Sequence, residues 1–286
     1  MILVTGATGR VGGEVVRQLA GRDEPPRALV RDRQRARQRL GEGVDLAVAD
    51  LDRPETLEPT LAGVDRIFLL TTQSTRQVAQ ERSLIRAAVR AGVGHVVKLS
   101  VFRADMASPL QVARQHGEAE RALAEAGLSH TIIRPPFFMQ NLLGMVRDGA
   151  IFTAAQDGRV AMVDVRDIAA VAVAALTSPG HEGETYTPTG PEAVTFDDVA
   201  AIVSEQTGVP LRHVRVPPDR VRAALEAAGV RPWFAADMAN LHTMLAAGYE
   251  DVVTADVRTA AGRPPRALAQ FARDFAAAFT RQRKAR

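Results

Sequence analysis

The chain has 286 residues, a formal net charge of +3 and no cysteine. This length suits one large domain or a main domain with a smaller lobe. The lack of cysteine excludes disulfides, thiol nucleophiles, iron–sulfur clusters and thiolate metal sites, and it fits a cytoplasmic protein.

Two further classes of partner are not expected. The longest purely apolar run, residues 168–176, is nine residues long and too short to span a bilayer, and the apolar start is only four residues and unlike a signal peptide. The densest basic stretch places arginines at every second position from 31 to 39. On a helix this spacing spreads charge around the axis, and no aromatics interleave, so we expect a solvated helix and no nucleic-acid partner.

Strand and helix patterns alternate through the first half of the chain. Short β-branched runs bounded by glycine or proline predict strands, and longer amphipathic runs predict helices. Such alternation predicts an α/β fold with a doubly wound parallel sheet. The predicted strands are residues 2–5, 27–30, 45–49, 66–71, 95–100 and 130–134, and the predicted helices are residues 12–20, 54–62, 75–91 and 111–126.

The second half is less regular. Residues 160–165 and 167–176 predict one more strand and helix of the same sheet, and Thr195, with Asp198 three positions on, predicts a capped helix start. We expect a main domain of residues 1–134 and 160–178, and a smaller substrate lobe of residues 135–159 and 179–286. Within the lobe, residues 211–216 predict a strand, and residues 220–228, 232–247 and 265–279 predict helices.

The first strand runs directly into a glycine-rich turn. Gly6, Gly9 and Gly12 follow the apolar residues 2–4 and precede a helix, which is the context of a dinucleotide-binding turn. Glycine permits the tight turn and close approach of a pyrophosphate to the helix N-terminus. The pattern therefore predicts a Rossmann-type doubly wound parallel sheet with a small C-terminal lobe. The predicted cofactor contacts here are Gly6, Ala7, Thr8, Gly9, Arg10 and Val11.

The end of the second strand indicates which dinucleotide is bound. Arg31 stands where a guanidinium accommodates a 2′-phosphate, and Arg10 in the glycine turn points to the same region. Asp32 would repel that phosphate if it turned inward, and we expect it to face solvent. We therefore predict NADP(H) in preference to NAD(H). The alternative is that Arg31 merely opens a surface helix.

Other strand ends supply further predicted cofactor contacts. Parallel strands gather their carboxyl ends at one edge of the sheet, where ligands bind. Threonines at such places are also ordinary turn residues, and that alternative stays open. The predicted contacts are Asp50 and Leu51 after the third strand, Thr71, Thr72 and Gln73 after the fourth, and Ser100 after the fifth.

The glycine spacing resembles that of the short-chain dehydrogenase/reductase superfamily, in its extended and atypical branches. Most members carry a Tyr-x-x-x-Lys pair for proton transfer. Here Tyr186 is followed four positions on by Gly190, and Tyr249 by Val253, so the pair is absent. This absence favours an atypical branch.

The chain resembles the NmrA-like family of atypical short-chain reductases, close to its bacterial NAD(P)H:quinone reductases. The resemblance implies a Rossmann domain, a small C-terminal lobe and a nicotinamide in the cleft between them. Members of the family range from quinone, enone and aryl-ether reductases to dinucleotide-sensing regulators without activity. The matching segments are residues 5–9, 29–31, 96–100, 131–141, 164–169 and 188–191, together with His116 and Glu120.

The segment after the sixth strand predicts one wall of the cleft. Pro135 and Pro136 keep the chain extended, and the aromatic and thioether side chains that follow suit a flat nicotinamide and a flat substrate. The alternative is a plain core segment, and at least one of the two phenylalanines is expected in the core. The predicted cofactor contacts are Pro136, Phe137 and Phe138, and the predicted substrate contacts are Phe138, Met139, Gln140 and Asn141.

Two residues are candidates for catalysis. His116 lies near the start of the helix after the fifth strand, and its imidazole could donate a proton or polarise a carbonyl, although a structural role is as well supported. Lys98 is one of two lysines and lies inside a strand, where it could contact the cofactor or an acid, or extend to the sheet edge. The six histidines show no paired metal-ligand spacing, and we expect no metal.

These observations favour an NADPH-dependent oxidoreductase that transfers hydride to a quinone, an enone or a similar conjugated carbonyl. The expected partner is a small apolar conjugated substrate, and a homodimer is kept open. One alternative is a non-catalytic NADP-sensing regulator that acts through a protein partner. Another is a tailoring reductase of secondary metabolism.

Overall fold

The computed structural model describes residues 1–20, 22 and 25–282. Strands are short and lie mostly in the first half of the chain. They are β1 (Ile2–Val4), β2 (Arg27–Val30), β3 (Asp45–Val48), β4 (Arg66–Leu69), β5 (His95–Leu99), β6 (His130–Ile133), β7 (Val146–Arg147), β8 (Ala150–Thr153), β9 (Thr185–Tyr186) and β10 (Arg212–Arg215).

Helices follow most of these strands and also make up much of the C-terminal third. No helix in the described ranges combines the length and the apolar character needed to cross a membrane. They are α1 (Arg10–Leu19), α2 (Arg33–Leu40), α3 (Gln77–Ala91), α4 (Gln111–Glu125), α5 (Leu142–Met145), α6 (Val165–Thr177), α7 (Phe196–Thr207), α8 (Pro218–Ala227), α9 (Pro232–Ala246), α10 (Asp256–Ala261), α11 (Leu268–Asp274) and α12 (Ala276–Gln282).

A seven-stranded parallel sheet forms the centre of the molecule, in the order β3-β2-β1-β4-β5-β6-β9. The order reverses between β1 and β4, and this switch point opens a crevice at the carboxyl ends of the strands. The predicted Rossmann-type sheet is therefore confirmed.

Both faces of the sheet are covered by helices. On one face, Val11 and Val15 of α1 and Ile168 of α6 pack with strand residues such as Val4 and Phe68. On the other face, α3 and α4 bury side chains that include Leu84, Ala88 and Leu123. Burial on both faces is why the strands read as continuous apolar runs without alternation.

Local signals for helix ends are confirmed. Gly92 ends α3 in a left-handed conformation with φ of 69°, which glycine adopts at little cost. Thr195 caps α7: its side chain accepts from the Asp198 amide, and the Asp198 carboxylate accepts from the Thr195 amide.

The predicted helix over residues 54–62 is wrong in type. Two 3-10 helices, Pro54–Thr56 and Glu58–Leu61, replace it. Pro59 lacks the amide hydrogen that a continuous α-helix would need at that position, and a new short helix begins at Glu58 with Pro59 in its first turn.

The predicted strand over residues 160–165 does not join the main sheet. Its backbone amides bond to separate partners: Val160 N–H donates to Val194, Ala161 N–H to Glu250 and Val163 N–H to Phe137. The seventh strand is β9, which pairs with β6 through Tyr186 and Ile133. An apolar run alone does not distinguish a strand from a buried connecting segment.

A smaller lobe lies over the carboxyl ends of the strands. It contains a three-stranded sheet in the order β10-β8-β7 and a separate core built around Phe196, Phe271 and Leu245. The predicted strand at 211–216 is confirmed as β10, whereas the predicted helix at 265–279 is divided into α11 and α12 at Phe275. The division of the chain into two domains stays a prediction.

Candidate functional site

A cavity of about 1310 Å³ lies between the sheet and the lobe. Its floor is the switch point of the sheet, where the glycine turn meets the ends of β4, β5 and β6. Its roof is made by α8 and α9, which present apolar side chains. Lining residues from the roof include Val221, Leu225, Phe234, Met238 and Leu241.

The glycine turn lines one end of the cavity. Gly6 has φ of +59°, and a Cβ built on Gly12 would stand 2.3 Å from the carbonyl oxygen of Gly6. Gly9 is the N-cap of α1 and carries no side chain to cap the helix. The first amide groups of α1 therefore present donors and a partial positive charge to the cavity, as a pyrophosphate requires.

Two arginines line this end of the cavity. Arg10 donates from Nη1 to Asn141 Oδ1 at 3.0 Å, and Arg39 donates from Nη1 to the Thr8 carbonyl at 2.9 Å; both line the cavity. Arg31 is exposed at the end of β2 and lies outside the lining. Arg39 is exposed, as expected of the solvated helix, but it also lines the cavity, which the regular spacing of arginines did not indicate.

Asp32 faces away from the site. Its Oδ1 accepts from the Arg35 amide at 3.0 Å and caps α2. The carboxylate is therefore held at the start of its own helix, in agreement with the expectation that it does not turn inward.

Only some of the cofactor contacts predicted from the sequence line the cavity. Ala7 is buried beneath the glycine turn, and Asp50 and Leu51 lie outside the cavity lining. The Ser100 hydroxyl lines the cavity and donates to Glu120, which is also paired with Arg134. The predicted contacts that line the cavity are Gly6, Thr8, Gly9, Arg10, Val11, Thr71, Thr72, Gln73, Ser100, Pro136, Phe137 and Phe138.

The apolar wall after β6 divides into lining and core residues. Phe137, Phe138 and Asn141 line the cavity. Met139 is buried in the core of the lobe, and the Gln140 amide is engaged by Asp164 at 2.9 Å and by the Val165 amide at 3.0 Å. Neither Met139 nor Gln140 lines the cavity, because their side chains fasten this segment to the start of α6.

Lys98 sits in a buried polar network beneath the cavity. Its ammonium lies 2.7 Å from Glu81 Oε2, and neither side chain is exposed. It also donates to His116 Nδ1 at 3.2 Å. Glu81 Oε1 accepts in turn from Thr71 at 2.7 Å and from Gln77 at 3.2 Å. Of the alternatives considered from sequence, Lys98 contacts an acid, and it does not line the cavity.

His116 lines the cavity above this network as a neutral imidazole. Burial, and then the positive charge of Lys98, hold the pKa of His116 well below its usual value. Because an ammonium can only donate, His116 Nδ1 accepts from Lys98 and the ring proton resides on Nε2, which lies 3.1 Å from the side-chain amide of Gln77. The role of His116 as a proton donor stays a prediction.

Glu250 is a site residue that the sequence did not reveal. It follows α9 in a polar turn that reads as surface, yet it is 5% exposed and lines the cavity. Its Oε2 accepts from the Phe137 amide at 3.0 Å. Burial raises the pKa of Glu250 to about 7, against smaller opposing effects of the Phe137 amide and Arg103.

Beside Glu250, aromatic and cationic groups are stacked. The rings of Phe102 and Tyr249 meet edge to face with centroids 5.5 Å apart. The Arg103 guanidinium lies 5.1 Å from the first centroid and 5.0 Å from the second. Burial raises the pKa of Tyr249, and the charge of Glu250 adds to this effect.

The other acidic and imidazole groups of the roof have structural partners. Both oxygens of Asp237 accept amides at the start of α4, from Gln111 at 3.0 Å and Val112 at 2.8 Å. His242 Nδ1 accepts from the Ala154 amide at 3.2 Å, and burial lowers the pKa of His242 to about 4. Over the part of the chain that the structure describes, no cluster of three potential ligands could hold a metal ion.

Comparison with known proteins identifies the family. The sequence model of the NmrA-like family matches residues 1–250. The chain belongs to the NmrA-like family. Among relatives, it is 41% identical to an NAD(P)H azoreductase of Xenophilus azovorans, over 98% of this chain and 99% of that protein. It is 37% identical to a (4-alkanoyl-5-oxo-2,5-dihydrofuran-3-yl)methyl phosphate reductase of Streptomyces griseus, over 98% and 99%.

A solved structure extends this likeness to the whole NmrA-like fold. The Escherichia coli NADPH-dependent quinone oxidoreductase, crystallised with NADPH, is 29% identical and superposes with a TM-score of 0.86. The match covers 96% of this chain and 99% of that one. The predicted family and fold are thus confirmed over nearly the full length.

The residues of this NmrA-like chain fit a dinucleotide. Gly9 leaves the N-terminus of α1 without a side-chain cap, and at Gly12 a Cβ would collide with Gly6, so the turn admits only glycine there. Arg10 and Arg39 add positive charge at the same end, and the cavity continues past the strand ends to the apolar roof. These features match a polyanionic ligand with a flat apolar head.

Proposed function

We propose that this protein is an NADPH-dependent reductase that passes hydride to a flat conjugated acceptor such as a quinone or an enone. The observation that carries the proposal is the continuity of one cavity from the glycine turn to an apolar wall and roof. The azoreductase relative extends the acceptor class to azo compounds, and the quinone oxidoreductase supports NADPH as the cofactor.

Each part of the cavity has a separate task. The amides of α1 hold the pyrophosphate, and Arg10, Arg31 and Arg39 supply charge toward a 2′-phosphate. NADPH, when bound, supplies the hydride. Phe137 and Phe138 hold the nicotinamide and the acceptor in contact and exclude water, so that the reacting atoms meet in a fixed geometry. Thr71, Thr72, Gln73, Ser100 and Asn141 offer polar contacts to the cofactor and acceptor.

His116 and Lys98 have supporting roles in this proposal. The neutral His116 ring lies at the cavity edge with Nε2 against the Gln77 amide at 3.1 Å, and the Lys98–Glu81 pair holds the ring in that tautomer. Met139 and Gln140 set the course of the wall without touching the acceptor.

A sensor that binds NADP without turnover is the second candidate. The missing Tyr-x-x-x-Lys pair favours it, and so does the engagement of Lys98 with Glu81.

The proposal of a cytoplasmic location rests on the absence of cysteine. A homodimer is also a prediction, which light scattering on the purified protein would test.

Turnover is the test of the reductase proposal. We expect the pure protein to oxidise NADPH, followed at the nicotinamide absorbance, with quinones, enones and azo compounds. Gly9→Asp places a carboxylate at the pyrophosphate site and a Cβ 3.1 Å from the Gly6 carbonyl oxygen, and it should abolish NADPH binding and turnover. Gly43→Asp is the matched control, because Gly43 is exposed and its Cβ would contact nothing within 4 Å.

Two results would contradict the proposal. Tight NADPH binding with no acceptor reduced would favour the sensor instead. Equal turnover by Gly9→Asp and Gly43→Asp would remove the glycine turn from the cofactor site.

A further inference from the structure

Hydride transfer to a conjugated acceptor creates a need for a proton. When hydride adds to one end of a conjugated bond, negative charge develops on the oxygen or nitrogen at the other end. A positioned acid that supplies the proton commonly accelerates such a step. The missing Tyr-x-x-x-Lys pair leaves this acid unidentified in the present chain.

Apart from the arginines, a residue type too weakly acidic to supply a proton, the ionisable groups that line the cavity can be compared one by one. His116 is neutral, and its Nδ1 accepts from Lys98. Asp237 is committed through both oxygens to the start of α4. His242 accepts from Ala154, and burial keeps it unprotonated near neutral pH. Tyr249 and Glu250 are left.

The carboxyl group of Glu250 is fixed through one of its two oxygens. Its Oε2 is fixed by the Phe137 amide at 3.0 Å, on the wall where a flat acceptor would lie. No hydrogen bond from the described residues reaches Oε1, which leaves that oxygen to the cavity that Glu250 lines. A carboxylic acid bound in this way directs its O–H toward the ligand.

We propose that Glu250 is the catalytic acid, which donates its carboxyl proton to the oxygen or nitrogen of the acceptor as hydride reaches the conjugated bond. NADPH is oxidised to NADP⁺ and gives two electrons and a hydrogen to the acceptor, and the O–H bond of Glu250 breaks as the new O–H or N–H bond forms. Solvent then returns a proton to the Glu250 carboxylate. This inference rests on the reductase function proposed above.

Burial, opposed by smaller effects of the Phe137 amide and Arg103, sets the pH range in which the acid operates. Tyr249 lies next to Glu250 along the chain, and Arg103 faces it from the loop after β5. With its pKa raised to about 7, Glu250 is largely protonated below neutral pH and loses its proton above it. Turnover should therefore be high on the acid side and fall as the pH rises through about 7.

The test is Glu250→Gln, whose amide oxygen can still accept from the Phe137 amide. Below pH 7 we expect kcat to drop by about 100-fold, with the loss of the decline on the alkaline side, while the Kd of NADPH stays unchanged. Glu192→Gln is the control, because Glu192 is exposed and lies outside the cavity. It should keep the wild-type rate and pH profile.

A spectroscopic readout tests the acid without turnover. The cofactor-free wild type should show the infrared band of a protonated carboxyl group that disappears between about pH 5 and about pH 9, and that is missing in Glu250→Gln. Thermal melting of the variant shows whether it is folded.

The outcomes separate this inference from the reductase function. If the wild type reduces an acceptor and Glu250→Gln keeps its rate and pH profile, the inference is wrong and the reductase function stands. If the titrating band persists in folded Glu250→Gln, the inference is also wrong. If the wild type binds NADPH and reduces no acceptor, the reductase function falls and the inference falls with it.

Discussion

At the level of single residues, the chain was most predictable where the backbone itself makes the site. Gly6 and Gly12 predict the turn because a side chain at either position would collide with its neighbours, and the structure shows these close approaches. Glu250 and Arg39 carried no such signal. Their residue types and polar surroundings are those of an ordinary surface. Distant segments bury Glu250, whereas Arg39 is exposed and lines the cavity where it donates to the Thr8 carbonyl.

Arg31 and Arg39 are the two residues of this region that we propose to contact a 2′-phosphate. Arg31→Ala and Arg39→Ala should each weaken NADPH binding by about tenfold and leave NADH binding unchanged, since a charge-assisted hydrogen bond is worth roughly 1.5–3 kcal/mol. Titration of both cofactors by fluorescence measures this effect. Arg35→Ala, on the exposed face of the same helix, is the control. If neither variant discriminates between the cofactors, the preference for NADPH comes from other residues.

At the level of elements, local signals predicted the strands and helices of the sheet domain well. Predictions were wrong where the structure of a segment depends on the segment to which it bonds. Residues 160–165 are apolar enough for a strand, but their amides bond to three different segments. Lys98 shows the same limit. Its place in β5 was correctly predicted, but its partner Glu81 comes from α3, and periodicity does not pair residues on different elements.

The Lys98–Glu81 pair joins β5 to α3 without contact with water. Lys98→Met should lower the free energy of unfolding by roughly 3–5 kcal/mol, because it leaves Glu81 buried without its counter-ion. The double variant Lys98→Met/Glu81→Leu should recover most of this loss, as both charges are removed together. Urea unfolding measures both values. A single variant that costs less than about 1 kcal/mol would contradict the ion-pair account.

At the level of the whole molecule, the sheet and the lobe meet around the cavity. The fold class followed from the alternation of strands and helices, but the course of the lobe did not, because its short elements are held by tertiary packing around Phe196 and Phe271. A ligand in this cavity would contact both the glycine turn and the helices of the roof.

Binding across the cavity should stabilise the whole chain. NADPH at about 100 times its Kd should add about 2.7 kcal/mol to the free energy of unfolding and raise the melting temperature by about 5 °C or more. Differential scanning fluorimetry with and without NADPH measures the shift. Gly9→Asp should melt at the same temperature in both conditions, and an equal shift in this variant would mean that NADPH binds elsewhere.

The roof of the cavity is built from a separate stretch of the chain. The glycine turn and the strand ends lie before residue 139, whereas α8 and α9 begin at Pro218 and end at Ala246. Substitutions at Val221, Leu225 or Met238 would therefore change the roof of the cavity without changing the glycine turn or the strand ends. Under the proposed function, acceptor preference could thus diverge through this one pair of helices while the hydride-donating end of the cavity is inherited unchanged.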